Sequence, residues 1–84
     1  MELKDTIPMM DNSDYKERFR AEWFQLKIRH RKLHEMLEKW RNGKLEFEPT
    51  CPYELLDEQR HLMWQYMRVL STRAILEGID LKEE

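Results

Sequence analysis

The fold is decided by the stretch FRAEWFQLKIRHRKLHEMLEKW, residues 19–40, in which large side chains recur at alternating intervals of four and three residues. This alternation is typical of a helix that buries one stripe of its surface against another helix. Asp14 can cap the start of such a helix, with Glu17 completing a capping box, and Gly43 can end it. We therefore predict a helix over 14–41. Its buried stripe would consist of Phe19, Trp23, Leu26, His30, Leu33, Leu37 and Trp40.

A second long helix is predicted over 52–77. Pro52 suits the first helical position because the N–H that proline lacks has no partner there, and Cys51 would be the N-cap. Gly78 supplies the stop. The apolar residues of this helix cover more than half of its circumference, which one partner helix cannot bury. They are Leu55, Leu56, Leu62, Met63, Tyr66, Met67, Val69, Leu70 and Ala74.

The connector 42–51 is short enough to make the two helices antiparallel neighbours. The predicted fold class is therefore all-α: two long antiparallel helices form a helical hairpin over 14–84, and an N-terminal arm over 1–13 precedes it. Pairing Trp40 with Leu55 places residues whose numbers sum to about 95 at the same level. We expect these hairpins to assemble into a homo-oligomeric bundle, because so short a chain leaves apolar surface uncovered.

Composition excludes several classes of protein. The chain has 84 residues, of which 38% are charged, yet it holds three Trp, three Tyr, three Phe and six Met, too much apolar material for a disordered tail. Its one cysteine excludes a disulfide framework and a four-thiolate zinc site. It contains no apolar run of about 18 residues, and its start does not resemble a signal peptide. We therefore expect a protein of the cytoplasm and not of the membrane.

Positive charge is concentrated in the first long helix. Residues 16–41 hold nine Lys or Arg against four Glu, although the whole chain has a net charge of -2. A solvated face with ion pairs such as Glu35 with Arg31 would explain this pattern. The sharper alternative is a site for a compact anion, with cations for phosphates and an aromatic plate for a base. Duplex nucleic acid fits less well, because the acidic segments would repel a long polyanion. The candidates are Arg29, Arg31, Lys32 and Arg68 for phosphates and Trp64 and Tyr66 for stacking.

Metal binding and catalysis find little support in the sequence. His30 and His34 lie one helical turn apart, and His61 is predicted to lie level with His34, but the acidic residue of zinc proteases is missing between them. A polar residue on a heptad seam more commonly fixes register than binds a metal. Cys51 is interpreted as a helix cap rather than a reactive thiol. We expect no enzyme activity and no metal or other cofactor, since no catalytic arrangement is recognisable.

Four segments carry a family resemblance. They are YKER (15–18), KLHEMLEK (32–39), GKLEFEPTCP leading into LL (43–56), and LSTRAILEGIDL (70–81). With these segments the chain resembles a family of small proteins encoded by tailed phages and prophages of Gram-positive gut bacteria, which implies a phage origin. The outline, a two-helix hairpin in so short a chain, is also similar to phage anti-defence sponges. Those proteins assemble as oligomers and sequester cyclic nucleotide signals of bacterial immunity.

Two functions follow from these features. In the first, the chain is a phage or prophage accessory protein that counters host defence by sequestering a cyclic nucleotide without chemical change. It would act in the cytoplasm of the infected or lysogenic bacterium. In the second, it is an inhibitor or adaptor that presents exposed apolar residues to a host-defence protein. The residues predicted for that interface are Phe24, Ile28, Trp64 and Ile75. A structural oligomer of a phage particle is a third, blander alternative.

Overall fold

The computed structural model describes residues 1–83 as helices joined by short connections. A 3-10 helix, Leu3–Thr6, is followed by α1 (Ile7–Met10), α2 (Tyr15–Arg41) and α3 (Tyr53–Glu77). No strand occurs in these residues, so the predicted all-α class is confirmed. None of the described helices combines the length and the apolar character that crossing a membrane requires.

Local capping chemistry sets the ends of the long helices. The Asp14 carboxylate caps α2 by accepting a hydrogen bond from the backbone N–H two residues further on (3.0 Å). Gly43 and Gly78 follow α2 and α3 with φ of 70° and 68°, the left-handed conformation that ends helices and that a Cβ disfavours. The N-cap of α3 is Pro52 and not Cys51, because Pro52 itself has an extended ψ of 149°.

α2 and α3 pack side by side in opposite directions. At one end the Tyr15 hydroxyl donates to the Glu77 carboxylate (2.8 Å), and at the other end the rings of Trp40 and Tyr53 meet edge to face at 5.4 Å. The core lies towards the start of α2 and the end of α3. Its buried members are Phe19, Leu26, Leu70, Ala74 and Ile79.

The N-terminal segment, residues 1–13, packs on α2 and not on α3. Thr6 is buried there, donates to a backbone carbonyl of its own 3-10 helix (2.7 Å) and accepts from Gln25 Nε2 on α2 (2.9 Å). Phe24 and Ile28, which flank Gln25 on α2, are only 1% and 3% exposed. These two residues are therefore not the exposed anchors that the sequence suggested, because the segment that precedes α2 folds back over them.

Phe24→Ala should lower the free energy of unfolding by about 3–5 kcal/mol, because it removes a buried ring and leaves a cavity beneath the N-terminal segment. Ile75→Ala is the control: Ile75 is 79% exposed, so its truncation should change the free energy by less than about 0.5 kcal/mol. Urea unfolding followed by circular dichroism measures both, and Phe24→Leu should fall between them. Equal midpoints for the two alanine variants would contradict the burial of Phe24.

Candidate functional site

A groove runs along one flank of the α2–α3 pair, with Trp64 at its middle. It consists of a cavity of about 510 Å³, which we call the histidine half, and a cavity of about 270 Å³, which we call the tryptophan half. The histidine half is lined by His30, His34, Glu38, Arg60, His61 and Trp64. The tryptophan half is lined by Trp23, Trp64, Met67, Arg68, Ser71 and Thr72. Since Trp64 lines both halves, one ligand can contact its ring while reaching into each of them.

Arg60 is the fixed cation of the histidine half. Its Nε and Nη2 donate to Asp57 Oδ1, at 3.1 Å from Nε, and its Nη1 lies 3.4 Å from Glu38 Oε1 on α2. The hydrogen bond with Asp57 is the main cause that raises the pKa of Arg60. Nη1 also contacts a ring nitrogen of His34, so one of the five N–H groups of this guanidinium remains for a ligand. Arg60 therefore links α3 to α2, and this link uses most of its hydrogen-bond donors.

Two histidines of α2, His30 and His34, line this half of the groove. Arg60 Nη1 lies 3.2 Å from His34 Nδ1, and because a guanidinium nitrogen can only donate, Nδ1 must accept and the His34 proton is on Nε2. The rings of His30 and His34 stack with their centroids 6.2 Å apart. Burial lowers the pKa of His30, and the neighbouring His34 and Arg60 lower it further. His30 is therefore neutral at pH 7, and an anion bound beside it would favour its protonation.

The tryptophan half contains a cation that no carboxylate of residues 1–83 neutralises. Arg68 forms no ion pair among the described side chains. Its backbone carbonyl accepts from the Thr72 hydroxyl (3.1 Å), an interaction that leaves the guanidinium uncommitted. Trp23 on α2 packs against the core, whereas Trp64 on α3 is 57% exposed. Two indoles beside an unpaired guanidinium can stack on a flat base and hold a phosphate.

Two of the six residues predicted to hold a ligand line this groove, namely Arg68 and Trp64. Arg29, Arg31 and Lys32 are exposed and line neither half. At about 100° per residue Arg31 points about 160° away from Arg29 and about 100° away from Lys32, so these three cations do not share one face of α2. Their exposure is compatible with the solvated helix face that the sequence left open, and their part in phosphate binding stays a prediction.

Tyr66 lies on a different flank of α3 from Trp64. Its hydroxyl donates to the Glu22 carboxylate on α2, and this hydrogen bond is the main cause that raises the pKa of Tyr66. Two positions along a helix differ by about 200°, so Tyr66 and Trp64 cannot stack on the same base. Ile75, which was predicted for a protein interface, is exposed and lines neither half of the groove.

The residues that the predicted ligand set left out are Arg60, Trp23 and the histidines. The predicted alignment of the two antiparallel helices, which states which residues lie side by side, could have identified them. Residue numbers that sum to about 95 place His34 beside His61 and Arg60, and all three side chains line the histidine half. Local charge density along the sequence was the weaker guide, because it says nothing of which helix face a cation occupies.

A separate cavity of about 480 Å³ lies between the N-terminal segment, the start of α2 and residues 78–80, which follow α3. Its cations are already engaged: Lys16 Nζ donates to the Gly78 carbonyl (3.4 Å), and Arg20 donates to the Asp80 carbonyl. Its three carboxylates balance its two cationic side chains and the N-terminal ammonium of Met1, so the lining has no excess of positive charge for an anion. The carboxylates are Asp14, Glu17 and Asp80.

The groove offers hydrogen bonding, charge and stacking. Among residues 1–83, no three His, Cys, Asp or Glu side chains come together in an arrangement that could hold a metal ion. The imidazoles beside Arg60 can form hydrogen bonds, and Arg68 can attract a phosphate. This combination can bind an anionic ligand that carries an aromatic ring.

Acidification should destabilise the protein through His30. In the unfolded chain His30 binds a proton near its ordinary pKa of about 6.5, whereas in the folded chain it does so only at lower pH. The unfolded state therefore binds more protons between these two values. As a result the free energy of unfolding falls as the pH drops from about 7.5 through 6.5, and the loss levels off below the folded pKa.

His30→Gln should make this decline smaller. Urea unfolding of both proteins between about pH 8 and pH 5.5 measures the effect, with pH 8 as the internal control because His30 is then neutral in both states. Parallel declines in the two proteins would contradict the role given to His30.

Comparison with known proteins places the chain in a family. No curated protein and no solved structure is significantly similar to it. The profile of the Sequestin family matches residues 13–76, which include α2, the connector and almost all of α3. The matched segment contains both walls of the groove, from Trp23 to Thr72. Because the match spans well over half of the 84 residues, this chain belongs to the Sequestin family.

Proposed function

We propose that this chain is a phage or prophage accessory protein that counters bacterial host defence by sequestering a nucleotide second messenger in the groove beside Trp64. The observation that carries the proposal is the tryptophan half, where Trp23 and Trp64 line the same cavity as Arg68. Indole rings stack on any base, and a guanidinium without a carboxylate partner offers paired hydrogen bonds to a phosphate. A cyclic nucleotide presents both of these groups in one compact ligand.

The histidine half provides a second set of contacts for the same ligand. The free N–H of Arg60 and the imidazoles of His30 and His34 suit a ribose hydroxyl or a further phosphate. The two cavities, about 510 and 270 Å³, together fall within the size range of ligand pockets, which is about 300–1,000 Å³. The ligand is held without chemical change, because sequestration removes a messenger from circulation by binding alone.

Family membership supports this role, since the name Sequestin denotes a protein that sequesters. The phage origin rests on the resemblance of the connector and of residues 70–81 to phage and prophage proteins. Action in the cytoplasm of the infected or lysogenic host follows from that origin, because the messengers of bacterial immunity are made there. Assembly as a homo-oligomer is part of the proposal, because large apolar side chains remain exposed on α3.

An inhibitor or adaptor that binds a host-defence protein is the alternative function. Two of its four predicted anchors, Phe24 and Ile28, are buried beneath the N-terminal segment, which leaves Trp64 and Ile75 exposed. Trp64 serves both functions, so its removal does not distinguish them. Arg68 does distinguish them, because an apolar interface does not require its charge.

Arg68→Ala should weaken nucleotide binding by about 10- to 100-fold, since hydrogen bonds to charged groups contribute about 1.5–3 kcal/mol. Trp64→Ala should also weaken it, because the base loses its more exposed stacking surface. Isothermal titration calorimetry with a panel of cyclic mononucleotides, cyclic dinucleotides and adenosine-ribose nucleotides measures the affinities. Chromatography of the ligand released by denaturation should return it intact.

Arg31→Ala is the matched control, because Arg31 is an exposed arginine of α2 that lines neither half of the groove. It should bind as tightly as the wild type. If the wild type binds no nucleotide of the panel, sequestration of a nucleotide is refuted. Equal losses for Arg31→Ala and Arg68→Ala would refute the placement of the ligand in the groove.

A further inference from the structure

α3 carries an apolar stripe with a period of seven residues on a face that nothing in residues 1–83 covers. The stripe consists of Leu55, Leu62, Val69 and Leu76, whose exposed fractions are 53%, 59%, 46% and 81%. We call this set the leucine stripe. Seven residues make almost two helical turns, so the four side chains form one line along the helix. Such a line corresponds to the a positions of a heptad, one of the two apolar positions through which helices pack in coiled coils.

The leucine stripe is separate from the core and from the groove. Leu70 of α3 belongs to the core, and Trp64 of the same helix lines the groove. At about 100° per residue, Val69 points about 100° away from Leu70, and Leu62 points about 160° away from Trp64. A helix that docked on the stripe would therefore leave the groove open to solvent.

We propose that the leucine stripe pairs with the same stripe of a second copy of this chain, with the two α3 helices antiparallel. Leu62 of one copy then packs beside Val69 of the other, and Leu55 beside Leu76. The stripe spans about 32 Å from Leu55 to Leu76 at about 1.5 Å per residue. Because a two-fold axis pairs the surface with itself, the assembly closes as a dimer. This interface stands whether or not a nucleotide binds.

The distribution of charge along α3 favours a second copy of the same helix on the leucine stripe, and it favours the antiparallel direction. The first half of α3, residues 53–65, holds three carboxylates and one arginine, and the second half, residues 66–77, holds two arginines and one carboxylate. The same helix in the opposite direction therefore brings halves of opposite net charge together, although at the ends of the stripe Glu54 of one copy lies level with Glu77 of the other. A parallel copy would bring like charges together, and it would also align the two helix dipoles unfavourably.

Glu58 and Arg73 are oppositely charged residues that this pairing places at the same level. Glu58 has no ion-pair partner among the described residues, whereas Arg73 pairs with Glu77 (3.2 Å), donates to the Tyr15 hydroxyl of α2 (2.8 Å) and lies over the Phe19 ring. In the antiparallel dimer Glu58 of each copy lies level with Arg73 of the other. The contact occurs twice, once on each side of the two-fold axis.

Sedimentation equilibrium of the full chain tests the interface. The wild type should be a dimer at micromolar concentration, and Leu62→Glu should be a monomer because it places an unpaired carboxylate at the centre of an apolar seam. Ile75→Glu is the matched control, since Ile75 is an exposed apolar residue of the same helix that lies off the stripe. Far-ultraviolet circular dichroism should show all three proteins helical. A monomeric wild type, or an Ile75→Glu variant that dissociates as fully as Leu62→Glu, overturns the proposal.

Disulfide cross-linking tests the direction of the two helices. The background is Cys51→Ser, which removes the exposed natural thiol. Leu55→Cys and Leu76→Cys are made as separate proteins and oxidised alone and as an equal mixture. The antiparallel dimer should cross-link only in the mixture. Cross-linking of each variant with itself but not with the other overturns the antiparallel arrangement, and the absence of any cross-link overturns the pairing.

Discussion

The register of α2 against α3, which determines the residues of the two helices that lie side by side, is the constraint on which the rest of the structure depends. Apolar seams with a heptad period tolerate a slip of whole repeats, so burial alone does not set this register. Polar and aromatic contacts set it: Tyr15 meets Glu77 at one end, and Trp40 meets Tyr53 at the other. A slip of one helical turn, about 5.4 Å, would break both contacts and would also part the walls of the groove.

The two arginines of the groove, Arg60 and Arg68, differ in how far their guanidinium groups are engaged by other residues of the chain. Arg60 is committed to two carboxylates and to His34, which fixes the level of the helices at the cost of most of its donors. The charge of Arg60 is offset by Asp57 and Glu38, so Arg60 adds no net positive charge to the histidine half. Arg68 has no such commitment among the described residues, and it lies beside the two indoles. Arg68 is therefore the arginine of the groove whose charge is not offset by a carboxylate of the described residues, whereas Arg60 connects the two walls of the histidine half.

How far the sequence could predict this structure depends on whether the cause of each feature is local. Capping residues and apolar periods are local, and the ends of α2 and α3 lie within one residue of their predicted positions. The burial of Phe24 is not local, because residues 1–13 have no helical period of their own and pack on α2 through tertiary contacts such as that of Thr6. The run of cations around Arg31 is dense in sequence, but its side chains are exposed and line neither half of the groove, because charge density does not determine which residues border a cavity.

The apolar arc of α3 is wider than one partner helix can cover, and the different faces of the helix account for its width. A helix can hold neighbours on several faces, and α3 uses one for α2 and a second for the groove around Trp64. The third face carries the leucine stripe, whose period of seven has no use in a ligand site but suits a helical partner. Because this face is turned away from Trp64, assembly and ligand binding do not compete for the same side chains. In the proposed dimer each chain therefore keeps its own complete groove, because the leucine stripe and the groove lie on different faces of α3.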